Sequence, residues 1–193
     1  MKRLIDLVGA LVALAIFGIP MLVVALLIKI LDPGPVFFRQ ARLGKGGAAF
    51  RIFKFRSMKV NAPDIRNEDG SAFSGDNDPR VTPIGRFIRK TSIDELPQFL
   101  NVLFGEMSLV GPRPDQVDQI QYYTDEEKQK LLVKPGITGL AQISGRNSIS
   151  WDQRKKLDVE YAQNHSIFGD LLILARTIPY VVLRKDVNAE VPK

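Results

Sequence analysis

The stretch LVGALVALAIFGIPMLVVALLI, residues 7–28, contains no charged side chain. A run of about 18 or more such residues is long enough to enter a bilayer, which closes most purely soluble folds to the chain that carries it. A cleaved signal peptide fits poorly, because the run is long and offers no clear small-x-small cleavage site. Lys2 and Arg3 precede the run, whereas Lys29, Arg39, Arg42 and Lys45 follow it. The cytoplasmic bias of Lys and Arg therefore places both flanks on one side of the membrane. A single span cannot satisfy that; a hairpin can. Gly18-Ile19-Pro20 lies near the middle, where proline removes a backbone hydrogen bond and bends a helix. Half-helices over residues 4–19 and 20–31 would each measure about 18–24 Å, short of the ~30 Å hydrocarbon core. The competing reading is a kinked helix that spans, since membrane helices tolerate proline. Asp6 and Lys29 fall at head-group depth, where snorkelling or capping is expected of them.

The charge balance is as uneven as the hydropathy. Residues 1–59 carry ten Lys/Arg against two acids, and residues 60–193 carry seventeen against nineteen. A basic cluster beside an apolar segment attracts anionic lipid head groups. With no zinc-finger or RNP pattern and no long Lys/Arg run, the expected partner is a phospholipid membrane and not nucleic acid. Cysteine is absent, which excludes disulfides and thiolate metal sites and suits a cytosolic location. The single histidine, His165, removes histidine-based zinc sites and reads as a bystander in a loop. At 193 residues, one compact domain accompanies the membrane segment.

After the turn Asp32-Pro33-Gly34-Pro35, residues 50–58 alternate as a strand, with Ile52, Lys54, Arg56 and Met58 on one face. Two cations one pleat apart can hold a phosphate or can simply be solvated. Gly44-Lys45-Gly46-Gly47 lacks the Lys-Ser/Thr of a P-loop and reads as a hairpin turn. Residues 61–80 read as a surface loop. Arg80, Arg86, Arg89 and Lys90 then gather just ahead of Asp94-Glu95.

That acidic pair has two readings. Ser92-Ile93-Asp94-Glu95 matches a Ser-x-x-Glu capping box, which needs no function. Pro97 makes Asp94 the cleanest N-cap instead, with proline third in the helix and Glu95 in the first turn. Leu96, Phe99, Leu100, Leu103 and Phe104 form one apolar face, and Gly105 ends the helix. A carboxylate at such a terminus, with cations beside it, also suits nucleophilic chemistry on a bound phosphate. Further on, MSLVGPRP projects Arg113 between two prolines, Pro112 and Pro114. Gln142, Arg146 and Asn147 are the polar groups of a turn-rich segment. Ser150-Trp151-Asp152-Gln153 is a second capping box, opening a helix to about residue 163. On it, Asp158 shares a face with Trp151 and Tyr161, either paired to an arginine or functional. Residues 167–185 suggest an interfacial or a core helix.

Taken together, KFRSM (54–58), DPRVTPIGRFIRKTSIDELPQ (78–98), GEMSLVGPRP (105–114), KPGITGLAQISGRN (134–147) and KLDVEYAQN (156–164) resemble the bacterial sugar transferase family, the monotopic phosphoglycosyl transferases. The resemblance covers nearly the whole chain, and five ordered motifs are far more specific than any one. It implies an α/β fold: a re-entrant membrane helix-break-helix over residues 1–31, then a cytosolic domain over 32–193 with interfacial helices. It also implies residence at the cytoplasmic face of the bacterial inner membrane, in the minimal catalytic form without the large N-terminal extension of some members.

The implied reaction transfers a sugar 1-phosphate from a UDP-sugar to polyprenyl (undecaprenyl) phosphate, releasing UMP, as the first membrane step of glycoconjugate assembly. Asp94 resembles the nucleophile that forms a covalent phosphosugar intermediate, and Glu95 the partner that helps hold Mg²⁺. Lys54, Arg89 and Arg146 would take phosphate charge. Arg56, Arg80, Pro112, Arg113 and Gln142 would bind substrate, and Asp158 would support the site by orienting Arg146. The family leaves a homodimer open. By analogy alone, the short form favours an N-acetylhexosamine donor. Two rivals stand beside this reading: direct transfer, with the acidic pair only binding metal, and a membrane-anchored adaptor with no turnover.

Overall fold

A computed structural model describes residues 1–67, 70, 73, 78–145 and 148–183. The apolar stretch forms one hydrogen-bonded helix, α1 (Lys2–Leu31), with Pro20 inside it, so the two half-helices expected over 4–19 and 20–31 belong to a single element. By length and composition α1 can cross a membrane. One face of it nevertheless packs on the rest of the protein: Asp6, Ala10, Val24 and Ile28 are buried, two near each end. The opposite face, including Leu4, Val8, Leu11, Ile16, Ile19, Leu22, Leu26 and Ile30, is exposed.

The charged residues ahead of the apolar run are bound to protein. Arg3 donates to the carbonyls of Val102 and Leu103 at 2.5 and 2.9 Å. These carbonyls lie in the last turn of α3 (Gln98–Phe104), where a cation meets the negative end of the helix dipole. Lys2 reaches the Val110 carbonyl at 3.1 Å and pairs with Asp170 at 2.5 Å. Asp6, expected at head-group depth, is instead buried and accepts from Ser108 Oγ at 2.8 Å and the Leu109 amide at 2.9 Å. Its carboxylate satisfies two donors that burial would otherwise strand. Lys29 behaves as expected, capping the Gly34 carbonyl at 3.2 Å.

A β-hairpin follows. Strand β1 (Phe37–Leu43) pairs antiparallel with β2 (Ala49–Phe55), the Lys45–Gly47 turn joining them. Strand β2 ends before Arg56, so the alternation expected through Met58 stops early. Next, α2 (Pro83–Lys90) starts with Thr82 accepting from the Gly85 amide and Pro83 in the first turn, where proline costs no hydrogen bond. After α3, ended by Gly105 at φ 84°, comes β3 (Ser108–Val110), which pairs in parallel with β4 (Gly136–Thr138). These two strands approach closely at their glycines: a Cβ on Gly136 would lie 2.0 Å from the Gly111 nitrogen. Three helices complete the order: α4 (Leu140–Ile143), α5 (Trp151–Asn164) and α6 (Ile167–Val182). The capping box expected at Ser150–Gln153 opens α5. Helix α6 buries Ile173 but exposes Phe168, Leu171, Leu172 and Ile178, as an interfacial helix does.

Among the described residues this mixed α/β body has three apolar clusters. The largest joins Ala10 to Phe50, Ile52, Val102, Met107, Val110, Tyr161 and Ile173. The second joins Val24 and Ile28 to Phe55 and Ile88. The third holds Leu43, Tyr123 and Trp151. Helix α1 thus belongs to two of the three. Asn101, fully buried, locks α3 to β2 by accepting from the Phe53 amide at 2.8 Å and donating to the Arg51 carbonyl at 2.9 Å. That lock sets the end of β2 beside the start of α3, where the site forms.

Candidate active site

The acidic pair does not make the expected capping box. Ser92 is left-handed at φ 57° with no side-chain cap, and residues Ile93–Glu95 form a 3-10 turn ahead of α3. Pro97 bars the helix that Ser92 would cap, since without an N–H it cannot bond back to the Ile93 carbonyl. Nor is Asp94 the N-cap, because α3 begins at Gln98 with Pro97 in the cap position. The chain tightens instead, with Leu96, Phe99 and Leu100 amides donating three residues back. The tight turn buries Asp94 and leaves Glu95 half-buried at the edge of a cleft of about 640 Å³.

Lys54, the penultimate residue of β2, completes the pair. Its Nζ lies 3.0 Å from Asp94 Oδ2 and 3.1 Å from Glu95 Oε1. Arg113, held in the turn after β3, grips Glu95 with both guanidinium nitrogens, at 2.7 and 3.3 Å. This forked, charge-assisted contact fixes the carboxylate plane as a single ammonium could not. Glu95 in turn holds the Arg113 guanidinium firmly charged. Behind Arg113 lies a buried network absent from the sequence reading. Lys130 pairs with Asp115 at 2.9 Å and with Asp158 at 2.6 Å, and the Tyr123 hydroxyl donates to Asp115. Burial pushes Asp158 up to about 6 against the opposing pull of Lys130, and its Oδ1 has no hydrogen-bond partner among the described residues.

A buried carboxylate thus shares one cation with a second carboxylate on the wall of a cation-lined cleft. The sequence profile of bacterial sugar transferases matches residues 1–184. The chain belongs to that family. It is 48% identical over 190 residues to a galactosyl transferase of Streptococcus agalactiae, covering 94% of this chain and 42% of that protein. It is 42% identical to the exopolysaccharide production protein ExoY of Rhizobium meliloti, covering 95% of this chain and 86% of the relative. A UDP-N-acetylgalactosamine-undecaprenyl-phosphate N-acetylgalactosaminephosphotransferase of Aeromonas hydrophila is 46% identical over 92% of this chain and 42% of its own length. The chain therefore spans less than half of the first and third of these relatives.

In this sugar transferase the residues singled out by sequence divide into groups. Lys54, Arg89, Gln142 and Asp158 line the cleft with the acidic pair and Arg113. Both amide atoms of Gln142 are buried without a hydrogen-bond partner among the described residues, as if awaiting a ligand. Arg56 and Arg80 also border the cleft, but their guanidinium groups hold protein. Arg56 pairs with Asp32 at 2.6 Å and donates to the Pro35 carbonyl at 2.6 Å, tying down the 32–35 turn. The early end of β2 explains why it leaves the face of Lys54. Arg80 pairs with Asp78 at 2.7 Å and donates to the carbonyls of Pro63 and Phe73, closing the connection between β2 and α2. Pro112 is buried and its carbonyl accepts from the Gly136 amide at 2.9 Å, which holds the Arg113 turn. Arg146 lies outside the described residues; the partner found for Asp158 is Lys130. Tyr161 leaves the cleft for the Asp170 carboxylate at 2.6 Å, and His165 is exposed at the end of α5.

For Mg²⁺, no group of three or more ligating side chains occurs among the described residues. A Mg²⁺ shared with substrate phosphates needs only one or two carboxylates. Asp94 Oδ2 and Glu95 Oε1 converge on the Lys54 nitrogen at 3.0 and 3.1 Å, and these two carboxylates are the groups that would hold such an ion beside substrate phosphates.

Proposed function

We propose that this sugar transferase moves a sugar 1-phosphate from a UDP-sugar to polyprenyl phosphate through a phosphosugar carried on Asp94. The observation that carries the proposal is the convergence of Lys54 on the buried Asp94 and on Glu95 at the wall of the cleft. An Asp94 oxygen attacks the phosphorus that bears the sugar. The bond from that phosphorus to the bridging oxygen breaks, and UMP leaves with the electron pair. In the second step an oxygen of polyprenyl phosphate attacks the same phosphorus, restoring the Asp94 carboxylate and giving polyprenyl-diphosphate-sugar. Lys54 holds Asp94 for the first attack and balances phosphate charge, and Arg113 orients Glu95. Mg²⁺, held by Glu95, would neutralise diphosphate oxygens.

The relatives' names support the transfer, since they describe galactose and N-acetylgalactosamine phosphotransferases that use undecaprenyl phosphate. They divide between a hexose and an N-acetylhexosamine, so both donors belong in the test. The setting is the cytoplasmic face of the inner membrane, with α1 re-entering the leaflet from which it came. Two features favour this topology. Both ends of α1 pack on one body, and Phe37 and Phe38 on the cleft wall are exposed beside Phe55, which packs on the α1 residues Val24 and Ile28. A long-chain lipid phosphate reaches the cleft there without leaving the bilayer surface.

The test is donor-only turnover in detergent with Mg²⁺ and a panel of UDP-sugars, read by intact mass and UMP release. A phosphosugar mass increment with about one UMP per protein, both absent in Asp94→Asn, is expected for covalent catalysis. UMP released only after polyprenyl phosphate is added, without an adduct, would establish direct transfer instead.

A further inference from the structure

Arg42 belongs to none of the contacts described above. It lies near the C-terminal end of β1, on the cleft wall, and its guanidinium makes one hydrogen bond, to Gln40 Oε1 at 2.7 Å. Among the described residues its buried Nε has no partner, and no carboxylate lies within ion-pair distance of it. The other cleft arginines with recorded pairs are held by acids: Arg56 by Asp32, Arg80 by Asp78 and Arg113 by Glu95. Asp115 and Glu95, the carboxylates that act on Arg42, are paired to Lys130 and Arg113, and a sequestered cation without a carboxylate of its own is explained by an anion that arrives with a ligand.

We propose that Arg42 binds the phosphate of the nucleotide that leaves, the phosphate of UMP, and stabilises it as the bond to the sugar phosphate breaks. Position argues for this phosphate over that of the lipid. In the hairpin register Lys54 faces Phe38, and Arg42 lies four residues further along the strand, about 13 Å away. The lipid side of the cleft is marked by the exposed Phe37 and Phe38, so Arg42 sits toward the other end, with Arg113 and Asp115 as electrostatic neighbours. Burial and the nearby Arg113 guanidinium lower the Arg42 pKa to about 10. Its charge therefore works against the folded state until an anion binds. The inference rests on the UDP-sugar reading above.

Calorimetric titration of the full chain in detergent tests it, with UMP, uridine and a short-chain polyprenyl phosphate each added to wild type, Arg42→Gln and Arg42→Lys. Arg42→Gln should bind UMP about 10- to 100-fold more weakly, the cost of one charge-assisted phosphate contact, and Arg42→Lys should recover part of it. Uridine and polyprenyl phosphate should bind all three proteins alike, and Tm without ligand should be unchanged or higher in Arg42→Gln. Unchanged UMP affinity in Arg42→Gln overturns the proposal. So does a loss confined to polyprenyl phosphate, or a clear fall in Tm that makes the residue structural. Failure of the broader reading appears in the wild type, as no UMP release from any donor, and is thereby distinct from failure in the variant alone.

Discussion

Asp115 and Asp158 both reach the Lys130 ammonium, yet burial raises Asp158 to about 6, whereas Lys130 and the Tyr123 hydroxyl hold Asp115 below the usual carboxylate range despite its burial. Tyr123 adds a second side-chain donor to Asp115, whereas Asp158 feels the neighbouring Asp115 charge and keeps one oxygen without a partner among the described residues. A carboxyl whose folded pKa exceeds its unfolded value favours the fold fully below the unfolded value and loses that contribution as pH rises through about 6. Asp158→Asn removes the titration and keeps the shape. Its Tm, relative to wild type, should therefore improve between pH 4 and pH 7, and a difference that stays flat across this window in thermal unfolding would refute the assignment. Nearer the dyad, Arg113→Lys keeps the charge but not the fork on Glu95. Donor turnover should fall about tenfold or more, read as kcat/KM for the UDP-sugar, with Tm little changed.

At the scale of elements, the parallel pair β3–β4 depends on backbone contact at glycine. Gly136→Ala would drive a Cβ to 2.0 Å from the Gly111 nitrogen. Because Pro112 and Arg113 follow directly, that substitution should both lower thermal stability and loosen the Arg113 grip on Glu95, measurable as a lower Tm together with a raised KM for the donor. Helix α3 with its Gly105 stop, α5 with its Ser150 cap and the acidic pair were legible in the sequence, because each acts through local chemistry, whereas β4 lies in a segment that reads as turns. The 3-10 start at Ile93 was foreshadowed by Pro97, but its weight against a capping box depends on where the next helix is anchored, which the buried Asn101 decides from β2. Lys130 was not legible at all. It sits in the run DEEKQK, which reads as a solvated surface, and only the distant Asp115 and Asp158 make it a buried partner. Arg42 was visible only as one more positive charge after the apolar run, since a missing counter-charge is a property of the folded surroundings.

For the whole molecule, the absence of cysteine turns the topology into a clean labelling experiment. A cysteine inserted ahead of Lys2 and one replacing the exposed Lys59 should react with a membrane-impermeant thiol reagent from the same side of sealed vesicles; reaction from opposite sides would mean that α1 spans. Phe168→Glu with Ile178→Glu should lower vesicle flotation and use of polyprenyl phosphate while sparing donor-only UMP release, because both side chains are exposed on α6 and away from the cleft. The participation of α1 in two of the three apolar clusters reaches into biogenesis. Synthesis delivers α1 ahead of every strand and helix that packs on it, so in the proposed topology the later elements assemble on a segment already lodged in lipid. A chain stripped of α1 loses Ala10, Val24 and Ile28 together with the carboxylate that satisfies Ser108 and Leu109. In that topology insertion and completion of the cleft are one event, and a copy that misses the membrane is left unfinished and open to proteolysis.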